Sequence, residues 1–243
     1  VSETVKNDIL SAMDGILLVD KPENWTSFDV VAKIRSLVRS ELQKTNPSLK
    51  RVKVGHTGTL DPAASGLLVL CIGKATKSVP DMIKHDKTYE VEMTLGSTST
   101  TGDREGIIER CPGVTAPTEE HVQRVLSTFT GEQNQTPPAY SAIKVNGKRA
   151  YELARAGKEV HLEPRVIHIH DIELTDYSWP VAHFVCTVSS GTYIRSLVAD
   201  IGQTLGCGAY MSALRRTKVA EYRVDDAISP VDVTIEAIVH AIR

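Results

Sequence analysis

Strand-like and helix-like stretches follow one another along this chain without a repeating strand–helix–strand rhythm, and that order limits its architecture more than any single motif. "KTYEVEMTLG" alternates: Tyr89, Val91, Met93 and Leu95 fall on one face, and Glu90, Glu92 and Thr94 on the other, the period of a half-buried strand. "VIHIHDIEL" and "HFVCTVSS" read as two more strands, expected to pair, and "GILLVD" as a short buried strand halted by Pro22. "GLLVLCIG" (66–73) fits a buried strand or a short helix. Helical spacing appears elsewhere. Val30, Val31, Ile34, Leu37 and Val38 follow Thr26 and Asp29, a capping-box pair, which predicts a helix from about Ser27 to Leu42 and then a polar loop, "QKTNPSLKRVK". Val122, Val125, Leu126 and Phe129 recur behind Pro117-Thr118-Glu119-Glu120, with Gly131 expected to close that helix. Ile194, Leu197, Val198, Ile201 and Leu205 line a third helix, and "DVTIEAIVHAIR" is expected to form the last one. The expected fold class is α+β: a mixed, mainly antiparallel sheet flanked by helices.

The 243 residues allow one large domain or two small ones. No apolar run approaches the ~20 residues a membrane helix needs, and the sequence as given opens on no charged-then-apolar leader. Its four cysteines are widely spaced without a C-x-x-C pair, which fits free thiols in a reducing compartment. A cytoplasmic protein with no membrane partner is expected. The net charge of −2 disfavours a nucleic-acid partner, but its distribution does not. Lys33, Arg35, Arg39, Lys44, Lys50, Arg51 and Lys53 face the single acid Glu41; Lys144, Lys148, Arg149, Arg155 and Lys158 form a second group; Arg215, Arg216 and Lys218 form a third. Solvated helix faces would explain any one of these, whereas three point to a sided basic surface.

Most motifs that signal chemistry are missing. Gly73-Lys74 is followed by Ala75 and lacks the spacing of a phosphate loop. His168 and His170 share a strand face, but spacing fixes no further metal ligand. Ser189-Ser190-Gly191 is not a nucleophile elbow. Asp61 stands apart. In "VGHTGTLDPAASGLLVL" one carboxylate lies among Gly55, Gly58, Ala63, Ala64, Ser65 and Gly66, residues small enough for backbone or ligand to come close. An Asp-Pro turn or helix cap explains the aspartate alone; the smallness around it also fits a concave site for a bulky planar substrate.

"GHTGTLDPAASGLLVLCIGKATK" resembles the catalytic motif of the TruB family of tRNA pseudouridine-55 synthases. Three further stretches match in the same order: "LLVDKP", "QTPPAYSAIKVNGKRAYELARAG" (135–157) and "GTYIRSLVADIGQTLGCGAYMSALRRTKVAEY" (191–222). The resemblance covers about residues 14–230, which sets an expected organisation of an N-terminal extension at 1–13, a catalytic domain at 14–230, and a C-terminal helix or tail at 231–243. Many bacterial members carry a further C-terminal PUA domain, and no full one is expected in this sequence.

The resemblance implies an isomerase that detaches uracil from its ribose nitrogen link, turns it and rejoins it through carbon, with no cofactor and no metal. It implies that Asp61 is the catalytic carboxylate, ionised, whether it attacks the sugar, attacks the base or takes a proton. It also implies that Arg195 stands against Asp61, lowering a carboxylate pKa by roughly 1–3 units, so that Arg195→Ala harms catalysis more than folding. Tyr89 matches the tyrosine that stacks on the flipped uracil, although a core aromatic would look the same. Tyr193 and Leu214 correspond to pocket-lining positions, His56 to a contact with neighbouring nucleotides, and Lys21 and Asp103 to supporting substrate-binding positions. The implied partner is the T stem-loop of tRNA, bound by a monomer without an obligate protein partner. The small residues near Asp61 then read as room for a nucleotide flipped from its stack, and the basic groups, with the long loop Leu42–Arg51, as phosphate contacts. Two rivals remain: an RNA-binding or tRNA-folding protein without catalysis, and a related synthase acting on another RNA.

Overall fold

The apolar run that fitted either a strand or a helix is a strand in the computed structural model, which describes residues 13–141, 143–145 and 147–243. The expected N-terminal extension lies, Met13 apart, outside the described residues. The stretch 14–230 divides into two units, one running to Lys87 and resuming at Arg215–Arg243, the other spanning Thr88–Leu214.

The first unit contains strand β1 (Gly15–Lys21), helix α1 (Ser27–Thr45), strands β2 (Val54–His56) and β3 (Ser65–Ile72), and the short helix α2 (Val79–Met82). Strand β1 runs antiparallel to β3 along its whole length, from Gly15 opposite Ile72 to Lys21 opposite Gly66. Strand β2 pairs antiparallel with the end of β3, placing His56 opposite Leu70. Both faces of β3 are covered. Leu68, Leu70 and Ile72 pack with Leu17, Val19, Val30, Ile34 and Val38, while Leu67, Val69 and Cys71 pack with Leu18 and Met82. A strand buried on two sides loses its polar alternation, which is why this run reads as continuously apolar.

Helix α1 starts where the capping box predicts: the Asp29 N–H donates to Thr26 Oγ1 at 3.0 Å, and the Thr26 N–H donates to Asp29 Oδ2 at 2.8 Å. It runs three residues past Leu42. The Asn46 N–H caps the Leu42 carbonyl, and Lys44 places a cation in the last turn, where the helix dipole favours one.

The second unit contains β4 (Lys87–Leu95), β5 (Ser97–Ser99), β6 (Ile108–Arg110), α3 (Glu119–Thr128), β7 (Gly131–Gln135), β8 (Lys144–Val145), β9 (Lys148–Arg149), α4 (Ala150–Arg155), β10 (Arg165–Ser178), β11 (Val181–Val188), α5 (Ile194–Thr204) and the start of β12 (Ala209–Val219). Its sheet order is β12-β4-β11-β10-β7. Strands β10 and β11 pair antiparallel as the sequence predicts. Helix α3 is capped by Thr118 and ends at Thr128; Gly131 does not close it but opens β7 at φ +99°. Strand β12 runs on into the first unit, where Arg215 and Arg216 pair in parallel with Ser65 and Gly66. Strand β13 (Tyr222–Arg223) and helix α6 (Ile235–Ala241) follow, with Ile238 of α6 fully buried.

The parallel step between β12 and β3 brings two backbones together at Gly66. Its φ is +104°, and a Cβ there would stand 2.3 Å from the Arg216 carbonyl oxygen. Gly66→Ala is therefore expected to cost about 3 kcal/mol, from backbone strain and overpacking together. Urea denaturation reads this directly, and an unchanged midpoint would contradict it.

Candidate active site

Asp61 lies in the loop between β2 and β3, and several hydrogen bonds fix that loop through its backbone. Thr57 is buried, and its N–H donates to the Val69 carbonyl at 3.1 Å. The Leu60 N–H donates to Ser27 Oγ at 2.9 Å, and the same hydroxyl donates to the Leu60 carbonyl at 3.1 Å. The Asp61 carbonyl accepts the Ala64 N–H at 3.1 Å, closing a tight turn through Pro62. Residues with little side chain offer few other handles.

Buried cations supply the remaining handles. Lys21 has no solvent exposure and donates to the carbonyls of Trp25 (2.7 Å), Pro22 (2.8 Å) and Pro62 (3.3 Å). Arg216, also buried, donates from Nε to the Leu67 carbonyl at 2.7 Å and from Nη2 to the Gly58 carbonyl at 3.1 Å. Lys87 donates to the carbonyls of His85 and Ile83 at 2.6 and 3.1 Å. These contacts change two expectations. Arg216 is a strut inside the fold rather than part of a basic surface, and Arg215 beside it forks onto both carboxylate oxygens of Asp20. The small residues near Asp61 also make room for the protein itself. A Cβ at Gly58 would meet Lys87 Cε and Arg216 Nη1 at 3.3 and 3.4 Å, Gly66 abuts the Arg216 backbone, and Ala64 is fully buried.

Burial lowers the Lys21 pKa from 10.5 to about 8, opposed chiefly by the negative charge of Asp61. Burial and then the charge of Arg216 bring Lys87 down to about 8 as well. His56 is held below its ordinary 6.5 by burial first and Arg216 second. Its Nδ1 accepts the Gly58 N–H at 3.3 Å, so the neutral ring carries its proton on Nε2.

The second unit holds the other candidates. Tyr89 lies on the buried face of β4, as its alternation predicts. Arg195, in the first turn of α5, is buried; Nη1 donates to the Thr101 carbonyl at 3.0 Å and Nη2 to the Tyr140 carbonyl at 2.9 Å, with Nε 3.6 Å from Asp103. Asp103 is buried too and accepts Thr101 Oγ1 and the Glu105 N–H. Tyr193 caps α5 and is bracketed by Gln135, which accepts its N–H at 2.8 Å and donates to its carbonyl at 3.0 Å. The Arg165 guanidinium lies 4.9 Å from the centre of the Tyr193 ring. Leu214 lies half-buried on β12.

The predicted residues thus gather in two groups: Lys21, His56 and Asp61 in the first unit, and Tyr89, Asp103, Tyr193, Arg195 and Leu214 in the second. Lys21 and Asp103, expected among the substrate-binding residues, are buried and hydrogen-bonded within the protein. The bonds of Arg195 also make it part of the fold, so truncating it strands two carbonyls and harms stability along with any catalysis. The sequence reading missed Arg216, Lys87, Gln135 and Arg165. Gln135 opens the quoted "QTPPAYSAIK" stretch, which is the signal that could have drawn attention to it.

Two outcomes follow from this bracing. Lys21→Met leaves three carbonyls without their donor and should cost about 2 kcal/mol of stability in urea denaturation; a variant as stable as wild type would show that the strut carries nothing. The His56 ring takes up a proton near pH 6.5 when unfolded and only below that when folded. The unfolded chain then binds more protons in this range, so stability falls as pH drops from about 6.5. His56→Gln should flatten the stability curve on that acid side, and an identical slope would contradict the assignment.

Two family models cover most of the chain. The N-terminal domain of the TruB family pseudouridylate synthases matches residues 46–194, and the tRNA pseudouridylate synthase B C-terminal domain matches residues 195–242. The tRNA pseudouridine synthase B of Clostridium kluyveri is 46% identical over 217 residues, covering 89% of this chain and 71% of that protein. The proteins of the same name from Parabacteroides distasonis and Cupriavidus metallidurans are 42% and 45% identical, covering 90% and 88% of this chain and 91% and 65% of their own lengths. Among solved structures, a chain of a Cbf5–Nop10–Gar1 complex superposes with a TM-score of 0.67 at 29% identity, over 96% of this chain and 60% of that one. A chain of an H/ACA RNP bound to a substrate RNA containing 2′-deoxyuridine gives 0.67 at 27%, over 98% and 61%. The chain therefore spans about two thirds to nine tenths of these curated relatives and about three fifths of the solved chains. With both domain models matched and relatives above 40% identity along about nine tenths of its length, the chain belongs to the TruB family of pseudouridylate synthases.

Proposed function

We propose that this chain converts uridine to pseudouridine in tRNA, at position 55 of the T stem-loop. The observation that carries this reading is the Asp61 loop, a family motif whose backbone is fixed by two buried cations around one carboxylate. The reaction breaks the ribose C1′–N1 bond, turns the uracil and forms a C1′–C5 bond. The C5 hydrogen leaves as a proton and N1 gains one, so atoms and electrons balance without a cofactor.

In this reading the target uridine leaves the stacked loop, at a cost of a few kcal/mol, and is received by the ring of Tyr89. Asp61 acts as the ionised carboxylate and Arg195 as the cation that stabilises it. Tyr193 and Leu214 line the base site, and His56 meets the nucleotides beside it. Lys21 and Asp103 act through other residues: Lys21 on the Asp61 turn, Asp103 on Arg195. The protein works as a monomer on tRNA in the cytoplasm, without an obligate protein partner. The tRNA reading is supported over another RNA target by the 42–46% identity to proteins named tRNA pseudouridine synthase B, against 27–29% for the Cbf5 and H/ACA chains.

Unmodified tRNA transcript carrying tritium on uracil C5 tests the reading. Wild type should release tritium to water with nothing else added, while Asp61→Asn should release none and still bind the tRNA. Equal release from both proteins would remove Asp61 from its role, and no release from wild type would remove the function.

A further inference from the structure

Helix α1 opens with a phenylalanine on its solvent side. Phe28 is 64% exposed, whereas Val30, Ile34 and Val38 of the same helix are fully buried. Its neighbour Ser27 makes the two hydrogen bonds to Leu60, the residue before Asp61. Phe28 therefore directly follows the residue that anchors the loop carrying the carboxylate. The guanidinium carbon of Arg35 lies 5.8 Å from the centre of its ring. Arg35 Nη2 also donates to the Val54 carbonyl at 3.3 Å, which brings the strand leading to His56 to the same side.

The chain entering that strand is basic and uncompensated. Lys50, Arg51 and Lys53 are exposed, as is Arg39 one helical turn beyond Arg35, and none of the four has an ion pair among the described residues. The nearest acids along α1 are engaged elsewhere: Asp29 caps the helix with Thr26, and Glu41 pairs with Lys44 at 2.6 Å.

An exposed ring with one cation beside it, on a helix and loop that carry further unpaired cations, is poor surface for an apolar protein partner, which wants contiguous apolar area. It suits a polyanion that carries flat rings, because stacking supplies contact to any base and cations follow the phosphates. We propose that Phe28 is a stacking platform for a base of the RNA loop next to the reacting uridine, with the backbone phosphates crossing Arg35, Arg39, Lys50, Arg51 and Lys53. This rests on the RNA-modifying function above and adds a contact outside the base site.

The test is the affinity of an unmodified T stem-loop oligonucleotide, and of whole tRNA, at several salt concentrations. Because Phe28 is exposed, its variants should melt with the wild type. Phe28→Ala should weaken stem-loop binding about tenfold with the salt dependence unchanged, and Phe28→Trp should restore it. Replacing Lys50, Arg51 and Lys53 together by Ala should instead flatten the salt dependence. Stem-loop affinity unchanged in Phe28→Ala, or a loss confined to whole tRNA, would overturn the platform. Wild type that releases tritium normally while Phe28→Ala binds as tightly removes only the platform; wild type that releases none removes the function beneath it.

Discussion

Lys21 and Arg216 hold the loop around Asp61 by its carbonyl oxygens, from inside the protein. A stretch of glycine, threonine and alanine has almost no side chain with which to fix itself, so its shape must come from outside. Burying a cation to do this is costly. Burial brings the Lys21 pKa from 10.5 down to about 8, so its charged form is disfavoured relative to water even against the opposing charge of Asp61. Three carbonyl acceptors hold the ammonium in place. The arrangement places two buried cations against the backbone of the Asp61 loop, which limits how far that backbone can drift.

The second unit repeats the device with different residues. Arg195 is buried and spends two of its donors on carbonyls, those of Thr101 and Tyr140. Gln135 brackets the peptide of Tyr193 just ahead of it. The segment 135–140 is thereby tied to the start of α5 at several points, including the Ser196 hydroxyl on the Thr136 carbonyl at 2.9 Å. Groups that would touch substrate sit on backbone that is held by groups that would not. Preorganisation of this kind keeps reacting groups in place at little cost during the reaction itself.

Much of the scaffold was legible because period and capping are local. The alternation of β4, the start of α1 at Thr26, and the apolar faces of α3 and α5 need only neighbours in sequence to be read. The end of α1 and the role of Gly131 were not, since a helix stops where its cap finds a partner and a glycine serves a turn or a strand according to tertiary contacts. Arg216 is the clearest case. In sequence it is one of two adjacent arginines in a charged stretch, and nothing local separates it from Arg215. Only the parallel pairing with Gly66, some 150 residues away, decides that one arginine is interior and the other meets Asp20. The same pairing explains Gly66, whose smallness alone looks like space for a ligand. Asp61 was singled out by its motif; the struts beneath its loop are long-range contacts with no local pattern.

Preorganisation of the Asp61 loop is most directly tested by amide hydrogen exchange, followed residue by residue in the free protein and again with tRNA bound. The account predicts that the amides of Thr57, Leu60 and Ala64 are already strongly protected in the free protein and change little when RNA arrives. Fast exchange at these amides in the free protein, slowed only by tRNA, would show that the RNA shapes the loop and that the buried cations do not.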